Sequence, residues 1–394
     1  MRETYPDCMF NQLRGTPAPL DAGELAAAAA PFGQSRMLPP AAYTSDAVFA
    51  WERANILAGW ICVGHAADLA EPASQRAVDT GNGGVLLTRD EQGVAHAFAN
   101  TCRHRGHELL PCGGSRRARS IVCPYHSWSY KLDGTLRAAP GFRDVPGFEP
   151  GEFGLVPVPV VEWHGYLFVD PSGAAGDFAE HLPGLDEVVG PYGPEDLVVV
   201  ARHSYELATN WKVVVENYQE CYHCATIHPE LSRISPPDSG DMLEPRGDWL
   251  AGWMDLIPQA TTMSLDGRSG GRPIAGLSET ELRTVMYVVA YPNLLISLHP
   301  DYVMTHLMRP LAADRTHVEC AWAFPREVAE QDGFDPSYAV DFWDLTNRQD
   351  WAACESVQRG LRSSHARPGP LAPDEDGVHQ FVARVARAYQ GNGR

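Results

Sequence analysis

Two short stretches, CRHRG beginning at Cys102 and CPYHSW beginning at Cys123, hold the pattern that decides how this chain folds. The first contains the pair Cys102 and His104, spaced C-x-H, and the second contains the pair Cys123 and His126, spaced C-x-x-H. Each stretch therefore supplies one thiolate and one imidazole, with 18 residues between the two pairs. Four such groups in two short loops predict a bound metal or metal cluster.

The spacing distinguishes two kinds of site. A structural zinc site usually takes two cysteines from one short motif and two histidines from another. A Rieske [2Fe–2S] cluster instead has one iron bound by two cysteines and one bound by two histidines. Because each pair here is mixed, the pattern favours the cluster, with Cys102, His104, Cys123 and His126 as its ligands. A Rieske cluster transfers single electrons.

The composition is that of a globular protein with length for about two domains. Of the 394 residues, 44% are hydrophobic and 21% are charged. The formal net charge of −19 opposes binding to nucleic acid or to an anionic membrane, and no stretch reaches the roughly 18 apolar residues of a transmembrane helix. The nine cysteines show no secreted disulfide framework, and thiolate ligands require reducing conditions, so we predict a cytoplasmic protein.

The order of elements predicts an α+β chain. Short apolar runs separated by turn residues between Trp60 and Asp170 predict a small antiparallel sandwich or barrel, and both ligand pairs lie in its loops. The stretch 261–276, rich in glycine, is a predicted mobile loop. The remaining predictions are a short helix at Leu25–Ala30, a helix at Trp211–His228, strands at Met286–Leu298 and Val318–Phe324, a long helix at 340–362 and a final helix at Asp374–Tyr389.

A second metal site is predicted from the segment that ends at His228 and Pro229. His223 and His228 are five residues apart and do not share an ideal helix face. A helix that carries His223 and breaks before His228 brings both imidazoles to one metal, and Pro229 helps to end that helix. Two histidines and one distant carboxylate form the facial triad of non-haem Fe(II) oxygenases, and Asp350 on the long helix is the best candidate for the carboxylate.

Together these motifs resemble the α subunit of the Rieske non-haem iron oxygenases over nearly the whole chain. The motifs occur in family order: C-x-H-R-G, C-P-Y-H-x-W, N-W-K, E-N-Y-x-E-C-Y-H-x4-H and Q-D. The resemblance implies a small antiparallel β Rieske domain and a helix-grip catalytic domain, which is an antiparallel sheet with helices. The predicted limits are 1–55 for an N-terminal helical segment packing on the catalytic domain, 56–175 for the Rieske domain and 176–394 for the catalytic domain.

The resemblance also assigns roles to residues and partners. It implies His223, His228 and Asp350 as iron ligands and Glu220 as the acid that joins an iron-ligand histidine to a cluster-ligand histidine of the next subunit in a homotrimer. On a helix, Glu220 shares a face with His223. Asn217 is implied to lie near the iron. Electrons are expected from NAD(P)H through a flavin and iron–sulfur reductase or a ferredoxin, with O2 as co-substrate.

Two features depart from the family pattern. Ser127 stands where glycine is usual, and the gap between the ligand pairs is lengthened by the basic insert 115–119. A solvated loop is the favoured interpretation of this insert, and docking of an acidic electron donor is the alternative. The Cys221-x-x-Cys224 pair resembles a redox dithiol, but we interpret it as a coincidence of helix sequence.

The sequence of the motif around Glu220 is most similar to the same motif in the branch of the family that acts on quaternary ammonium compounds, such as glycine betaine, carnitine, choline and stachydrine. Hydroxylation of an N-methyl group gives an unstable hemiaminal that releases formaldehyde. Quaternary ammonium groups bind aromatic faces, but an ordinary core position is the favoured interpretation of each candidate for such a cage. The candidates are Trp249, Trp253, Tyr287, Tyr302 and Phe342.

Three other functions are compatible with part of the pattern. The first is hydroxylation of an aromatic or specialised biosynthetic compound, which releases no formaldehyde. The second is a simple electron carrier, which needs neither the length of this chain nor the set His223, His228 and Asp350. The third is a non-catalytic binding protein that keeps the cluster and lacks the mononuclear iron.

Overall fold

The computed structural model describes residues 15–391, and the chain divides into two compact units. The smaller unit is Leu57–Phe178. The larger unit combines the chain up to Ile56 with the chain from Ala179 onward.

The domain limits of 1–55, 56–175 and 176–394 stay a prediction. A compact unit is defined by its internal contacts, whereas a domain is defined by its capacity to fold alone. Residues 1–14 of the predicted N-terminal segment lie outside the described residues.

The smaller unit is built on three antiparallel sheets. Its strands are β1 (Ile61–His65), β2 (Ser74–Asp79), β3 (Gly84–Arg89), β4 (Ala95–Ala99), β5 (Ser115–Arg117), β6 (Ile121–Val122), β7 (Ser129–Tyr130), β8 (Leu136–Ala138), β9 (Pro157–Val158), β10 (Val160–Trp163) and β11 (Tyr166–Val169). One sheet has the order β5-β2-β3-β4-β9, and the others have the orders β1-β11-β10 and β6-β7-β8.

Strand β3 separates two apolar cores in this unit. Alternate residues of a strand point to opposite faces. Leu86 belongs to the core that contains the predicted ligands Cys102 and Cys123. Its neighbours Val85 and Leu87 belong to the other core. The cysteines of the predicted cluster are therefore held at the edge of a packed core.

One seven-stranded antiparallel sheet forms the centre of the larger unit. Its strands are β12 (Leu197–Leu207), β13 (Asp241–Met242), β14 (Trp249–Asp255), β15 (Thr284–Ala290), β16 (Leu294–Leu298), β17 (Val303–Ala312) and β18 (Arg315–Pro325). Strands β13 to β18 follow one another as a meander, and β12 pairs along its length with β18 at the far edge.

Helices supply the rest of the larger unit. They are α1 (Ala22–Ala28), α2 (Ala41–Thr44), α3 (Asp46–Asn55), α4 (Phe178–His181), α5 (Asp186–Val189), α6 (Trp211–Tyr218), α7 (Cys224–Ile227), α8 (Pro229–Ile234), α9 (Arg326–Ala329), α10 (Ser337–Leu361) and α11 (Asp376–Tyr389). Helix α4 begins at the last residue of the smaller unit. Single turns of 3-10 helix occur at Ala66–Leu69, Pro150–Phe153, Gly190–Tyr192, Pro194–Asp196 and Glu281–Arg283.

The long helix α10 has one buried stripe. Residues three and four positions apart lie on one helix face. Trp343, Asn347, Trp351, Cys354 and Gln358 follow this spacing, and all are buried. The stripe packs on helix α6, which places the middle of α10 beside the chain that leaves α6.

The predicted helix at Trp211–His228 is wrong in its extent. Helix α6 ends at Tyr218, and two short helices follow it at Cys224 and at Pro229. Pro229 begins helix α8 because proline fits the first helical position, where no N–H is needed. The sequence pattern failed here because residues with helical propensity occupy a turn that tertiary contacts define.

The predicted strand Met286–Leu298 is also wrong as one element, because Ala290 pairs with Leu294 across a tight turn and divides it into β15 and β16. The other predicted elements are confirmed as α1, β18, α10 and α11, with limits that differ by a few residues.

The stretch 261–276 contains neither helix nor strand, as expected, but its mobility stays a prediction. Asp301 is buried and accepts hydrogen bonds from Thr262 (2.5 Å), Tyr338 (2.6 Å) and Ser269. These bonds tie the loop to helix α10.

The antiparallel sheets and packed helices confirm the α+β prediction. Among the described residues, no helix is both long enough and apolar enough to span a membrane.

Candidate active site

His223, His228 and Asp350 meet in the larger unit, although 122 positions separate His228 from Asp350. Their facing atoms are close: Nε2 to Nε2 of the histidines is 3.1 Å, and Asp350 Oδ1 is 2.9 Å from His228 Nε2 and 3.4 Å from His223 Nε2. Among the described residues, this is the one group of three or more such side chains with mutual ligand-atom distances within 4.8 Å. The structure therefore brings together the three side chains that the sequence singled out.

The break after helix α6 sets the direction of both imidazoles. His223 immediately precedes α7, and His228 lies between α7 and α8 with φ −118° and ψ 69°, outside the helical region. This change of direction allows two histidines five residues apart to face one point. Asp350 reaches the same point from the middle of α10.

Hydrogen bonds on the far side of each ring fix the tautomers. His223 Nδ1 lies 2.6 Å from Glu220 Oε1, and His228 Nδ1 lies 2.7 Å from Gln349 Oε1. Both partners are acceptors, so each Nδ1 carries the proton in the neutral ring and each Nε2 presents a bare lone pair. Two lone pairs and a carboxylate facing one point repel each other unless a cation lies among them. This donor set fits Fe(II).

The charges around His223 also favour a cation among the three facing side chains. Burial lowers the pKa of His223, but hydrogen bonds that its ring donates to Asp350 and Glu220, together with the charges of those carboxylates, outweigh burial and raise that pKa to about 10. Burial raises the pKa of Asp350, and its bonds with His223 and His228 lower it below the usual value. The site therefore favours positive charge, either as a proton or as a metal ion.

Glu220 lies beside His223, but the two are not on one helix as predicted. Residues 219–223 form a turn between α6 and α7. In this turn the Glu220 carboxylate accepts from the His223 backbone N–H (3.1 Å) as well as from its ring. The carboxylate is only 12% exposed, which rules out a solvated helix glutamate.

The hydrogen bond between Gln349 and His228 was not predicted, although Gln349 is the glutamine of the Q-D motif that contains Asp350. Gln349 holds His228 while the adjacent Asp350 faces it, so one turn of α10 supplies both contacts. Asn217, near the end of α6, lines the same cavity, as the resemblance implied.

A cavity of about 530 Å³ opens beside the three facing side chains. That volume suits a small organic molecule. Of the predicted cage residues, Trp253 and Tyr287 line it, and Trp249, Tyr302 and Phe342 do not. The side chain of Trp249 instead donates to Pro183 O, and that of Tyr302 donates to Met263 O, so both serve as core residues.

Four aromatic residues of the cavity were not predicted: Phe32, Tyr218, Trp343 and Trp351. Trp343 and Trp351 lie on the buried stripe of α10 with Asn347, so the helical spacing from Asp350 was the available signal.

In the smaller unit, the four predicted cluster ligands lie in two close pairs, the two histidines and the two cysteines. The rings of His104 and His126 lie 4.7 Å apart, and Cys102 and Cys123 are buried. His104 stacks on Trp128 at 5.1 Å. These contacts shield one side of the site from water.

Two features of these residues fit a cluster. His104 Nδ1 is buried and has no hydrogen-bond partner in the described part of the chain. Burial raises the pKa of the Cys102 thiol, so a buried thiolate here needs positive charge beside it. A Rieske cluster has one iron bound by two histidines and one iron bound by two cysteines. Such a cluster would accept the lone pair of His104 Nδ1 and supply the positive charge beside the Cys102 thiolate.

Tyr130 is a functional contact that the sequence analysis missed. Its hydroxyl accepts from Arg103 N (3.0 Å) and lies 3.2 Å from Cys102 Sγ, so its own proton is available to the sulfur. Hydrogen bonds to the sulfurs tune the reduction potential of such clusters.

The two departures from the family pattern have local explanations. Ser127 adopts φ +60°, the left-handed region that favours glycine. The basic insert is not a solvated loop, because Ser115–Arg117 forms β5 and pairs with β2. Its charges face nearby acids, with Arg117 3.6 Å from Glu71 and Arg119 3.3 Å from Glu91.

Cys221 and Cys224 are joined by a disulfide in the turn that carries Glu220 and His223. The expectation that their spacing is coincidental is therefore wrong, because the turn between α6 and α7 brings the two sulfurs together.

Comparison with known families matches residues 194–391 to the ring hydroxylating alpha subunit (catalytic domain) and residues 59–149 to the Rieske [2Fe-2S] domain. The chain belongs to the Rieske oxygenase α subunits. This family assignment confirms the predicted enzyme class, the Rieske cluster, the mononuclear iron and the use of O2. It excludes a simple electron carrier, since the catalytic part is present.

Several relatives of this Rieske oxygenase α subunit have names that mention quaternary ammonium compounds. The chain is 31% identical over 375 residues to the glycine betaine monooxygenase oxygenase subunit of Chromohalobacter salexigens, covering 88% of this chain and 84% of the relative. It is 40% identical over 197 residues to the carnitine monooxygenase oxygenase subunit of Acinetobacter baumannii, covering 48% and 52%.

A solved quaternary ammonium Rieske monooxygenase, described in connection with carnitine oxidation and inter-subunit electron transfer, matches with a TM-score of 0.79 at 27% identity. The match covers 95% of this chain and 100% of that one. As an oxygenase subunit, the chain works with a separate electron donor.

Proposed function

We propose that this Rieske oxygenase α subunit hydroxylates an N-methyl carbon of a quaternary ammonium compound and so removes the methyl group as formaldehyde. One observation carries the proposal: aromatic rings of Trp253, Tyr287, Trp343 and Trp351 line the cavity beside the three facing ligands. Aromatic faces attract a cation that has no N–H to donate. The names of the relatives point to the same class of compound.

In this proposal the residues divide into two sets. Cys102, His104, Cys123 and His126 hold the cluster in the smaller unit, and His223, His228 and Asp350 hold the iron in the larger unit. When bound, these groups supply single-electron transfer and O2 activation. The chain itself orients both iron-ligand imidazoles through Glu220 and Gln349 and surrounds the substrate with the aromatic side chains of the cavity.

The overall reaction balances with external electrons. One trimethylammonium group, O2, two electrons and two protons give a hydroxymethyl-dimethylammonium group and water. The C–N bond of that hemiaminal then breaks, its hydroxyl proton moves to nitrogen, and formaldehyde and a dimethylammonium group are released. Asn217, which lines the cavity near the ligands, is proposed to orient the reacting group.

We further propose that Glu220 couples the iron site to the cluster of a neighbouring subunit in a homotrimer. Its Oε1 accepts from the ring of His223 and its Oε2 from the His223 backbone N–H, and each oxygen keeps a second lone pair that supports a bond to a second histidine. The proposal also includes the domain limits 1–55, 56–175 and 176–394, a cytoplasmic location, and a reductase or ferredoxin that relays electrons from NAD(P)H.

A single-turnover experiment tests the function. Holoenzyme with a chemically reduced cluster is mixed with O2 and one compound from a panel of trimethylammonium compounds and aromatic acids. Cluster reoxidation is followed by absorbance, and formaldehyde is measured after the reaction. The proposal predicts fast reoxidation and one formaldehyde per turnover for trimethylammonium compounds. Reoxidation with aromatic acids alone would reject it and leave hydroxylation of another substrate class.

A further inference from the structure

Four carboxylates line the active-site cavity without a lysine or arginine partner in the described residues. Asp238 follows helix α8, Asp241 begins strand β13, Asp374 precedes helix α11, and Asp376 is its first residue. Asp238, Asp241 and Asp374 are exposed, so these acids mark the rim of the cavity. Within residues 15–391, none of the four forms a salt bridge.

Two of the rim acids, Asp241 and Asp376, are close enough to repel each other. Burial raises the pKa of Asp376, and the charge of Asp241 raises it further. Asp241 also pairs with Trp253 across strands β13 and β14. Since Trp253 lines the cavity, the acidic rim continues directly into the aromatic wall.

Basic side chains are missing from this cavity. No lysine or arginine occurs among its described lining residues, whereas the whole chain contains 31 of them. A bound carboxylate requires a charged or hydrogen-bonding donor to offset its lost hydration. The cavity offers a carboxylate no such cation, and its exposed rim repels one. Its two buried donors without a hydrogen-bond partner in the described residues, Trp351 Nε1 and the Tyr287 hydroxyl, belong to the aromatic wall and not to the rim.

An unpartnered nitrogen deeper in the cavity has the same preference. His306 lines the cavity and is 2% exposed. Its Nε2 lies 3.0 Å from Asn347 Oδ1, and the Asn347 amide nitrogen is directed to Cys320 Sγ, so His306 Nε2 is the donor. His306 Nδ1 is then an acceptor with no hydrogen-bond partner in the described residues. An acceptor favours a ligand that brings positive charge or a donor.

We propose that the cavity takes an N-methylated dication, whose trimethylammonium end enters the aromatic wall and whose second cationic end binds the rim of Asp238, Asp241, Asp374 and Asp376. This inference rests on the proposed function and narrows its substrate class. Glycine betaine and carnitine, the compounds in the names of two relatives, each carry a carboxylate instead. In this chain a carboxylate at the second end faces four like charges.

Matched ligands test the charge of the second end. Calorimetric titration of the anaerobic holoenzyme would use three trimethylammonium compounds of equal chain length, ending in a second trimethylammonium, a methyl or a carboxylate. We expect the dication to bind about tenfold more tightly than the methyl compound and the carboxylate compound to bind most weakly. The advantage of the dication should shrink as salt is added, because the rim is exposed.

Variants of the rim aspartates test whether the rim causes the preference for the dication. The double variant Asp241→Asn and Asp376→Asn should bring the dication to within about twofold of the methyl compound, because the dication loses more affinity than the singly charged methyl compound. Retained binding of the methyl compound, with an intact cluster spectrum, shows that the cavity is folded. Asp332→Asn, a change of an exposed aspartate outside the cavity, should retain the wild-type order.

Two results would overturn the inference. One is a dication that binds no more tightly than the methyl compound, and the other is a carboxylate compound that binds as tightly as the dication. Formaldehyde from the methyl compound in a single turnover tests the proposed function separately. If formaldehyde forms but the carboxylate compound binds more tightly than the dication, only the inference about the substrate's second end is rejected. If no trimethylammonium compound yields formaldehyde, the proposed function itself falls.

Discussion

One hydrogen bond at Nδ1 of His223 and one at Nδ1 of His228 decide what the Nε2 atom of each ring can bind. Glu220 and Gln349 each accept a hydrogen bond from an Nδ1–H, so in the neutral rings both Nε2 atoms face Asp350 with a lone pair. A histidine whose second nitrogen is held by an acceptor is a better and more directed metal ligand. The hydrogen bonds of Glu220 and Gln349, which are not predicted metal ligands, therefore define the geometry of the proposed iron site.

Binding of Fe(II) to metal-free protein should release about one proton per ion at neutral pH. The pKa of His223 in the metal-free site is raised to about 10, so below that pH the ring carries a proton that the metal must displace. Affinity should therefore rise with pH until about pH 10. Calorimetry in buffers of different ionisation enthalpy counts the protons, and binding without proton release would contradict this account.

Replacing Glu220 with Gln should leave both metal centres bound but slow electron transfer between them. The amide keeps an oxygen acceptor for the ring of His223 but loses the charge that two histidines share in the proposed bridge. Iron content and the cluster spectrum check that the sites are filled, and stopped-flow reoxidation of the cluster measures the transfer. The matched control is Glu279→Gln, at an exposed position. Normal turnover by Glu220→Gln would disprove the bridging role.

Helix α6 is held by a buried charge pair at its first turn. Lys212 Nζ lies 2.5 Å from Glu52 Oε1, and both side chains are fully buried. The Glu52 carboxylate also accepts from Trp211 Nε1 (2.9 Å) and from the Tyr389 hydroxyl. Helices α3, α6 and α11 are thereby joined at one carboxylate. The end of α6, from which the ligand histidines extend, depends on this anchor.

Replacing Lys212 with Met should lower the free energy of unfolding by about 3–5 kcal/mol, because it leaves the Glu52 charge buried without its cation. Chemical denaturation followed by tryptophan fluorescence measures the change. Adding Glu52→Gln to Lys212→Met removes that charge and keeps an acceptor for Trp211, so most of the loss should be recovered. A single variant as stable as the wild type would show that Lys212 does not compensate the carboxylate.

The proposed trimer predicts complementation between two inactive variants. Cys102→Ser removes a cluster ligand, and His223→Ala removes an iron ligand, so neither variant alone should turn over. If electrons pass between subunits, subunit exchange places an intact cluster next to an intact iron site, and part of the activity returns. The readout is formaldehyde or substrate-dependent O2 uptake, with size-exclusion chromatography for the assembly. No recovery after proven exchange would place electron transfer within one subunit.

Local sequence was sufficient to single out the side chains of His223, His228 and Asp350 that the structure brings together and the two mixed pairs proposed for the cluster, because their motifs combine fixed spacing with residue types of restricted chemistry. It was also sufficient for α10, whose stripe of buried residues repeats at helical spacing. It failed between Tyr218 and Cys224, where helical propensity is overridden by a turn that holds Glu220 against His223. It failed again at β15 and β16, where pairing of Ala290 with Leu294 divides one apolar run.

The sequence by itself determined the metal chemistry of this protein, since two mixed Cys and His pairs and the set His223, His228 and Asp350 have few other uses. Only the tertiary structure decided which side chains surround that chemistry. The contacts of Gln349 with His228 and of Tyr130 with Cys102, and the acidic rim of the cavity, join residues distant in sequence. No local spacing encodes such contacts, because they arise only when helices and sheets pack.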